Sequence, residues 1–527
     1  MCRRWRLMRG VALASSSRLA AEAGLELAAA GGNAVDAALG AALVSMVTEP
    51  GVCSPAAGGY VTVWAADGEP VTIDGNVEMP GRGLPQERLG QGGWPVELAY
   101  GGGLNTVVGH GSVATPGALA ACELAAQTFG RLAWRSLFAP AIRWTRDGFP
   151  LSRPSHDYLV HSGTSVYGWD PRSRAALHGP GGRLLEPGDT VRIAGLSGSL
   201  EAIAEGGAAE FYRGALARRI ADHVTEHGGV LTREDLALYR ALPRPSLVLE
   251  LDDWRIATNP PPAIGGTTLG AMLLLMRRDP IASWDARGVA QVAAVQHRVL
   301  AYRREHLDLS DDLELDARRL LEGCRSDPAW LSAPSTVHTS AVDDDSLACA
   351  VTLSSGYGSG VMPPGTGIWL NNCLGEIELN RRGLGGGPPG WRLPSNMAPT
   401  VARRTDGAVL AIGSPGADRI TTAIFQALIN FVHLGMALDE AIRHPRLHVE
   451  VLDDGARVAC EPGLPLEALH LPTRHFDSLS MFFGGVGAAL RHPRDGFVIG
   501  ADPRRSGGSG IFSARPDGEP AAAPHAH

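Results

Sequence analysis

The chain has 527 residues and a net charge of −8, with 55 Asp and Glu against 47 basic residues, every one of them arginine. The absence of lysine excludes Schiff-base chemistry and phosphate-loop nucleotide binding, which need a lysine amine, and the acidic balance argues against a nucleic-acid surface. With 44% hydrophobic and 19% charged residues the composition is that of a globular protein with a large core, and 67 Gly and 37 Pro imply many turns and close backbone approaches.

In chain order, residues 15–17 can cap a helix running through Leu19, Ala23 and Leu27 to Gly31 and Gly32, so 11–30 read as a folded helix and not as a signal core. A second, alanine-rich helix is predicted over 33–47, stopped at Glu49-Pro50-Gly51. Alternation at 60–64 and 71–74 around Asp67-Gly68 predicts a hairpin. A glycine-rich loop near 91–103, a short apolar run at 106–108 and helices near 116–129 and 134–147 follow. Residues 200–335 read as mostly helical, with the run Pro260-Pro261-Pro262-Ala263-Ile264-Gly265-Gly266 punctuating the entry to a hydrophobic helix.

The last third changes character. Residues 336–343 and 347–354 alternate apolar and polar types around Asp344-Asp345-Ser346, which predicts a hairpin with Thr336 opposite Ser354 on one face of the sheet. A third strand at 367–371, a Gly/Pro-rich loop at 385–399 and another hairpin over 400–412, turned at Asp406-Gly407, come next. Gly413-Ser414-Pro415-Gly416-Ala417 then opens a helix with Ile420, Ile424, Leu428 and Phe431 on its core face. Residues 515–527 read as a disordered tail.

Seven scattered cysteines without CxxC spacing indicate neither a disulfide framework nor a zinc site, and point to a reducing compartment. No stretch approaches the ~20 apolar residues of a membrane span. Gly109-His-Gly111-Ser-Val-Ala114 superficially fits a dinucleotide loop, but Pro116 and the lack of a suitably spaced acid make it a structural turn. His444 and His448 are four apart, yet Pro445 breaks the helix that would put both rings on one face. No GxSxG elbow and no HExxH motif occur. No cofactor and no metal are therefore expected.

A lone threonine in a strand is ordinary. Thr336 stands out because the turn at 413–417 offers backbone N–H groups at a helix N-terminus, the usual material of an oxyanion hole. A hydroxyl nucleophile needs a base. Without lysine, an α-amine with an unperturbed pKa of about 8 is the attractive candidate.

These segments resemble the γ-glutamyltranspeptidase family of N-terminal nucleophile hydrolases over nearly the full length. The resemblance is carried by Ala29-Ala-Gly-Gly-Asn-Ala-Val-Asp36, Ala114-Thr-Pro-Gly117, Leu137-Phe-Ala-Pro-Ala-Ile142, Asp147-Gly-Phe149, Pro260-Pro-Pro262 with Gly265-Gly266, Thr336-Val-His338, Gly367-Ile-Trp-Leu-Asn-Asn372, Gly413-Ser-Pro-Gly416 and Asp502-Pro-Arg504. It implies an α+β fold, a four-layer αββα sandwich. It also implies a precursor that cuts itself between Ser335 and Thr336 into a large piece of 1–335 and a small piece of 336–527. The two would stay interlocked as a heterodimer, with higher oligomers left open.

Thr336 would then be the nucleophile, Ser354 the hydroxyl beside it, and Gly416 and Ala417 the oxyanion hole. The family's substrate-binding positions carry over to Glu376, to the pair Ser395 and Asn396, and to Arg82, while its amine-reading Asn falls at Gly356 or in a gap. The implied activity is cleavage of γ-glutamyl amides of the glutathione type, with acyl transfer to amino acids or peptides as a secondary outcome. The partner is a small-molecule γ-glutamyl substrate, with no nucleic acid and no membrane. Alternatives are a glutaryl or cephalosporin-type acylase of the same fold and a non-catalytic binding protein that keeps it. The start leaves little room for a signal before the first family-like segment, so a cytoplasmic location is expected, or export if the start codon is misassigned.

Overall fold

The computed structural model describes residues 10–99, 103–326, 337–377, 380–452, 454–505 and 507–513. In chain order its principal strands are β1 (Gly10–Ser15), β2 (Gly58–Trp64), β3 (Val71–Gly75), β4 (Leu242–Pro245), β5 (Leu247–Leu251), β6 (Trp254–Thr258), β7 (Val337–Asp343), β8 (Ala348–Ser354), β9 (Thr400–Arg404), β10 (Val409–Gly413), β11 (Gly487–His492), β12 (Gly496–Ala501) and β13 (Gly508–Ser513). They form two antiparallel sheets. Sheet 1 has the order β13-β1-β7-β8-β2-β3-β4, and sheet 2 the order β12-β11-β10-β9-β6-β5.

The helices that frame them are α1 (Arg18–Ala29), α2 (Ala34–Thr48), α3 (Ala118–Phe129), α4 (Ala215–Glu226), α5 (Ile264–Arg278), α6 (Ala286–Tyr302) and α7 (Arg419–Leu428). The apolar faces of α1, α2 and α3 share one core with the outer face of sheet 1. Those of α5, α6 and α7 share another with sheet 2. With the two sheets packed face to face, the architecture is a four-layer αββα sandwich, as the family resemblance implied.

Helix α2 shows how the sequence builds the outer layer. Asn33 accepts the Val35 and Asp36 N–H groups while Asp36 accepts the Asn33 N–H, a reciprocal cap that starts the helix. All fifteen of its residues are buried, and its many alanines suit that position. Glycines let the elements close: a Cβ at Gly40 would sit 1.9 Å from Leu27 Cδ1, and one at Gly24 would sit 2.7 Å from the Ala37 carbonyl oxygen.

Several sequence expectations are corrected. Residues 11–30 are not one helix. Gly10–Ser15 is a strand between β7 and β13, buried on both faces, so it lacks the alternation that marks a half-exposed strand. The region read as mostly helical contains β4, β5 and β6. The strand expected at 367–371 reduces to an isolated bridge between Ala56 and Leu370. Its would-be neighbour carries Gly356, Gly358 and Gly360 at φ of 65°, 81° and 78°, which breaks any regular edge. The hairpin at 400–412 and the α7 helix stand where predicted. The tail at 515–527 lies outside the described residues. Among the described residues no helix is long and apolar enough to cross a membrane.

Candidate active site

The layer between the sheets is apolar at one end, where Ala12, Trp64, Val342, Ala348, Val409 and Ala411 cluster. Toward the other end it turns polar. On β7 the residues facing sheet 2 run from Val342 through Ser340 to His338, and β8 brings Thr352 beside His338. The His338 ring lies 2.8 Å from Thr352 Oγ1 through Nδ1 and 2.7 Å from Ser340 Oγ through Nε2, and Ser340 donates in turn to the Gly487 carbonyl. Burial pushes the His338 pKa down to about 3, so the ring is neutral, with one nitrogen donating and the other accepting.

Ser335 and Thr336 lie outside the described residues. The hairpin that follows them has the predicted register, with Val337 opposite Leu353 and Ser340 opposite Ala350. Ser354 ends β8, buried, opposite Gly58, and its Oγ accepts the Gly356 N–H at 3.0 Å. Sheet 2 sends its own turn to the same end. Val409 and Ala411 of β10 belong to the apolar cluster with Val342, whereas a Cβ at Gly413 would sit 2.3 Å from the His338 ring. The strand therefore runs toward the N-terminal end of β7, and residues 414–417 continue past His338.

That turn is strained and tightly wedged. Gly416 has φ of 129°, and Ala417 has φ of 60°, left-handed for a residue with a side chain; such a conformation costs roughly 1–2 kcal/mol and persists only where the surroundings impose it. A Cβ on Gly416 would sit 2.4 Å from Gly484 Cα, and Ser414 Oγ accepts the Gly485 N–H at 3.0 Å. Among the described residues, the Gly416 and Ala417 N–H groups have no backbone acceptor. Two backbone donors at the start of α7 are thus left for a partner outside the backbone hydrogen bonds of the described residues.

The remaining expected residues fall into two groups. Glu376, 2% exposed, reaches Gly356: a Cβ there would meet the Glu376 carboxylate at 2.9 Å and Asn372 Oδ1 at 2.3 Å. The loop holding Glu376 is fixed by the Asn pair before it. Asn371 bonds Ala56, Ala114 and Cys373 backbone groups, and Asn372 accepts the Tyr357 N–H and donates to Thr106 and Val107. Burial, and then the Glu376 carboxylate, push the Cys373 thiol well above its ordinary range.

Ser395 and Asn396 sit against Gly265, in the run that punctuates the entry to α5. Ile264 and Gly265 N–H groups donate to the Ser395 carbonyl, and a Cβ on Gly265 would lie 2.1 Å from the Asn396 carbonyl oxygen. The Asn396 side chain is buried, and among the described residues neither its Oδ1 nor its Nδ2 has a hydrogen-bond partner. Asn76 links this segment to Ser354, since it donates to the Leu393 carbonyl and abuts Gly58.

Arg82 is not brought to this group. Its guanidinium is held by Glu78 and Asp235, both at 3.3 Å, and it packs against Gly390. Leu393 donates to the Val77 carbonyl and Met79 to that of Trp391, so the two segments run antiparallel and Arg82 lies beyond Met79, away from Ser395. The arginine on the Ser395 segment is Arg392, buried against Tyr239 with its guanidinium on the Asn76 carbonyl at 2.5 Å. Sequence reasoning missed it because a lone arginine in a Gly/Pro-rich loop carries no local signal.

Comparison with known proteins places this arrangement. The family model described as Gamma-glutamyltranspeptidase matches residues 20–321 and 293–512. A glutathione hydrolase proenzyme of Escherichia coli (strain K12) is 29% identical over 533 residues, covering 93% of this chain and 90% of the relative. An acylase ACY 1 proenzyme of Pseudomonas sp. (strain V22) is 28% identical, covering 94% and 92%. Among solved structures, a cephalosporin acylase from Bacillus halodurans superposes with a TM-score of 0.80 at 25% identity, covering 97% of each chain.

Proposed function

Because the chain belongs to the γ-glutamyltranspeptidase family, we propose that it is a self-processing amidohydrolase that cleaves γ-glutamyl amides, with Thr336 as nucleophile. The observation that supports this reading is the β7–β8 register, in which Val337 pairs with Leu353 and Ser354 ends β8, at the end toward which the Gly413–Ala417 turn of sheet 2 runs.

In the processing step the Thr336 hydroxyl adds to the Ser335 carbonyl and the peptide C–N bond breaks, leaving an ester and the Thr336 α-amine. Water then hydrolyses the ester, releasing the Ser335 carboxylate and restoring the hydroxyl. In turnover the α-amine takes the hydroxyl proton as oxygen attacks the donor amide, and the same proton passes to the leaving amine. Gly416 and Ala417 N–H groups receive the developing oxyanion, a contribution of roughly 3 kcal/mol for each such donor in other hydrolases. Ser354, itself anchored by the Gly356 N–H, orients the nucleophile. Water hydrolyses the acyl-enzyme, or an amino acid or peptide amine takes the acyl group.

Glu376 offers a buried carboxylate for the α-ammonium of a γ-glutamyl donor, and the Asn396 amide offers polar groups for its carboxylate. Intact-mass measurement tests the processing: two pieces that meet between 335 and 336 are expected from the wild type and one uncut chain from Thr336→Ala. An uncut wild type, or activity in the variant, would overturn it. Turnover of γ-glutamyl against glutaryl anilides tests the donor, since a preference for glutaryl would make the protein an acylase of the same fold.

A further inference from the structure

Three histidines from two distant parts of the sequence meet outside the group of residues described above. His110 sits on the 3-10 turn His110–Ser112, His223 on the last turn of α4, and His227 caps that helix. His110 Nε2 and His223 Nε2 are 3.3 Å apart, and one ring nitrogen from each of the three lies within 4.8 Å of the others. Zinc–imidazole bonds of about 2.05 Å in tetrahedral array require nitrogen–nitrogen edges of roughly 3.3–3.4 Å. The first pair already has that spacing. His227 is exposed at a helix end and stacks on His110 at 4.7 Å, within a small side-chain movement of the third ligand position.

The chemistry of the nitrogens agrees. His227 Nδ1 lies 2.8 Å from the His223 carbonyl oxygen and must carry the proton that bonds it, which leaves Nε2 as the lone-pair nitrogen. Burial, with the neighbouring imidazoles, pushes the His110 and His223 pKa values to about 4, so both are neutral ligands at neutral pH. The charged groups that act on His110 and His223 are Asp170 and Arg172, which pair with each other at 2.9 Å. His223 and His227 are four apart, a helical spacing that puts both rings on one face.

We propose that His110, His223 and His227 form a binding site for a divalent transition metal of the zinc class, completed by water on the exposed His227 side. Such an ion would tie the end of α4 to the turn that underlies the Asn371–Glu376 loop. The Ser112 carbonyl accepts the Leu374 N–H at 3.1 Å, and the Ala114 N–H donates to Asn371 Oδ1 at 3.0 Å. The site is independent of the proposed reaction. It is not the His444 and His448 pair considered from spacing, which diverges: His444 packs against Trp284 at a tilt and His448 bonds Thr422.

The test uses the full-length protein stripped with EDTA and dialysed against Zn²⁺, with metal content read directly and Co²⁺ as a spectroscopic probe. One metal per chain and the intense visible bands of four-coordinate Co²⁺ are expected. His227→Gln, exposed and so compatible with folding, should weaken binding roughly ten-fold or more, and His223→Gln should do so independently. Failure of the wild type to retain zinc at micromolar free metal would overturn the proposal. So would unchanged affinity in both variants with native circular dichroism, because the metal would then sit elsewhere.

Discussion

Gly356→Ala tests the link between backbone shape and substrate choice. The residue has φ of 65°, where an alanine costs roughly 1–2 kcal/mol. Its new Cβ would also meet Asn372 Oδ1 at 2.3 Å and the Glu376 carboxylate at 2.9 Å. The loop has little freedom to retreat, because the Tyr357 carbonyl is held by the Tyr158 and Tyr167 hydroxyls and the Gly356 N–H by Ser354. Asn372 must therefore move, and its 2.7 Å bond from the Tyr357 N–H is lost or stretched at about 1–2 kcal/mol. The sum, about 2–4 kcal/mol, lies within the stability of an ordinary domain, so the variant should fold with a lowered melting temperature. If Glu376 holds the donor ammonium, its displacement removes a charge-assisted bond of about 1.5–3 kcal/mol, or roughly a ten- to hundred-fold loss in kcat/KM for γ-glutamyl anilide. Glutaryl anilide has no amine to lose. Equal losses on both donors, or none on either, would refute the assignment of Glu376 to the amine.

Ser354→Ala should lower kcat more than it raises KM and slow self-cleavage, as followed by gel densitometry and steady-state kinetics; equal processing and turnover would remove Ser354 from the machinery. Ala417→Val puts a β-branched residue at φ of 60° and should reduce kcat at least ten-fold with a loss of about 1–2 kcal/mol in stability, while Ala417→Gly should be near neutral in stability. His338, with a folded pKa of about 3 against about 6.5 unfolded, lets the unfolded chain bind more protons between those values, so its stabilisation is full above pH 6.5 and falls as pH drops toward 3. Between pH 7.5 and 5 the loss is about 2 kcal/mol. Melting in EDTA at the two pH values should show a smaller acid shift for His338→Gln than for the wild type, and identical shifts would mean the ring is protonated in the native state.

What was legible in the sequence follows from periodicity and turn chemistry. The β7–β8 hairpin shows because the Asp344-Asp345-Ser346 reversal fixes a register, and the start of α7 shows because Gly413, Pro415 and Gly416 punctuate a clean helical stripe. β1 was hidden because both its faces are covered, which erases alternation. Arg82 was misplaced because motif order gives chain distance and not direction: only the pairing of Met79 with Trp391 shows that the segment leaves Ser395 behind. The three histidines were invisible for a related reason. Spacing reveals His223 and His227 as a helical pair, but His110 reaches them through the fold, from a turn read on sequence as purely structural.

Strand order explains how a chain could be cut beside its central strand and remain whole. On the proposed cut, β1 to β6 belong to the large piece and β7 to β13 to the small one. β1 lies between β7 and β13, β8 pairs with β2, and β9 pairs with β6, so both sheets contain strands of both pieces. Separation would strip four ladders and expose their edges and the two faces of the buried layer, whereas the cut itself severs one bond at the N-terminal edge of β7. The gain is chemical. With the proposed cut, a chain without lysine would acquire an amine whose ordinary pKa of about 8 already suits a general base near neutrality. On that proposal it would do so one residue before the strand whose register pairs Val337 with Leu353 beside Ser354, at the end where the Gly413–Ala417 turn arrives from the opposite sheet. On the proposed cut, the absence of a side-chain amine and the interleaving of strands would answer one requirement, a base made in place after folding has fixed the nucleophile.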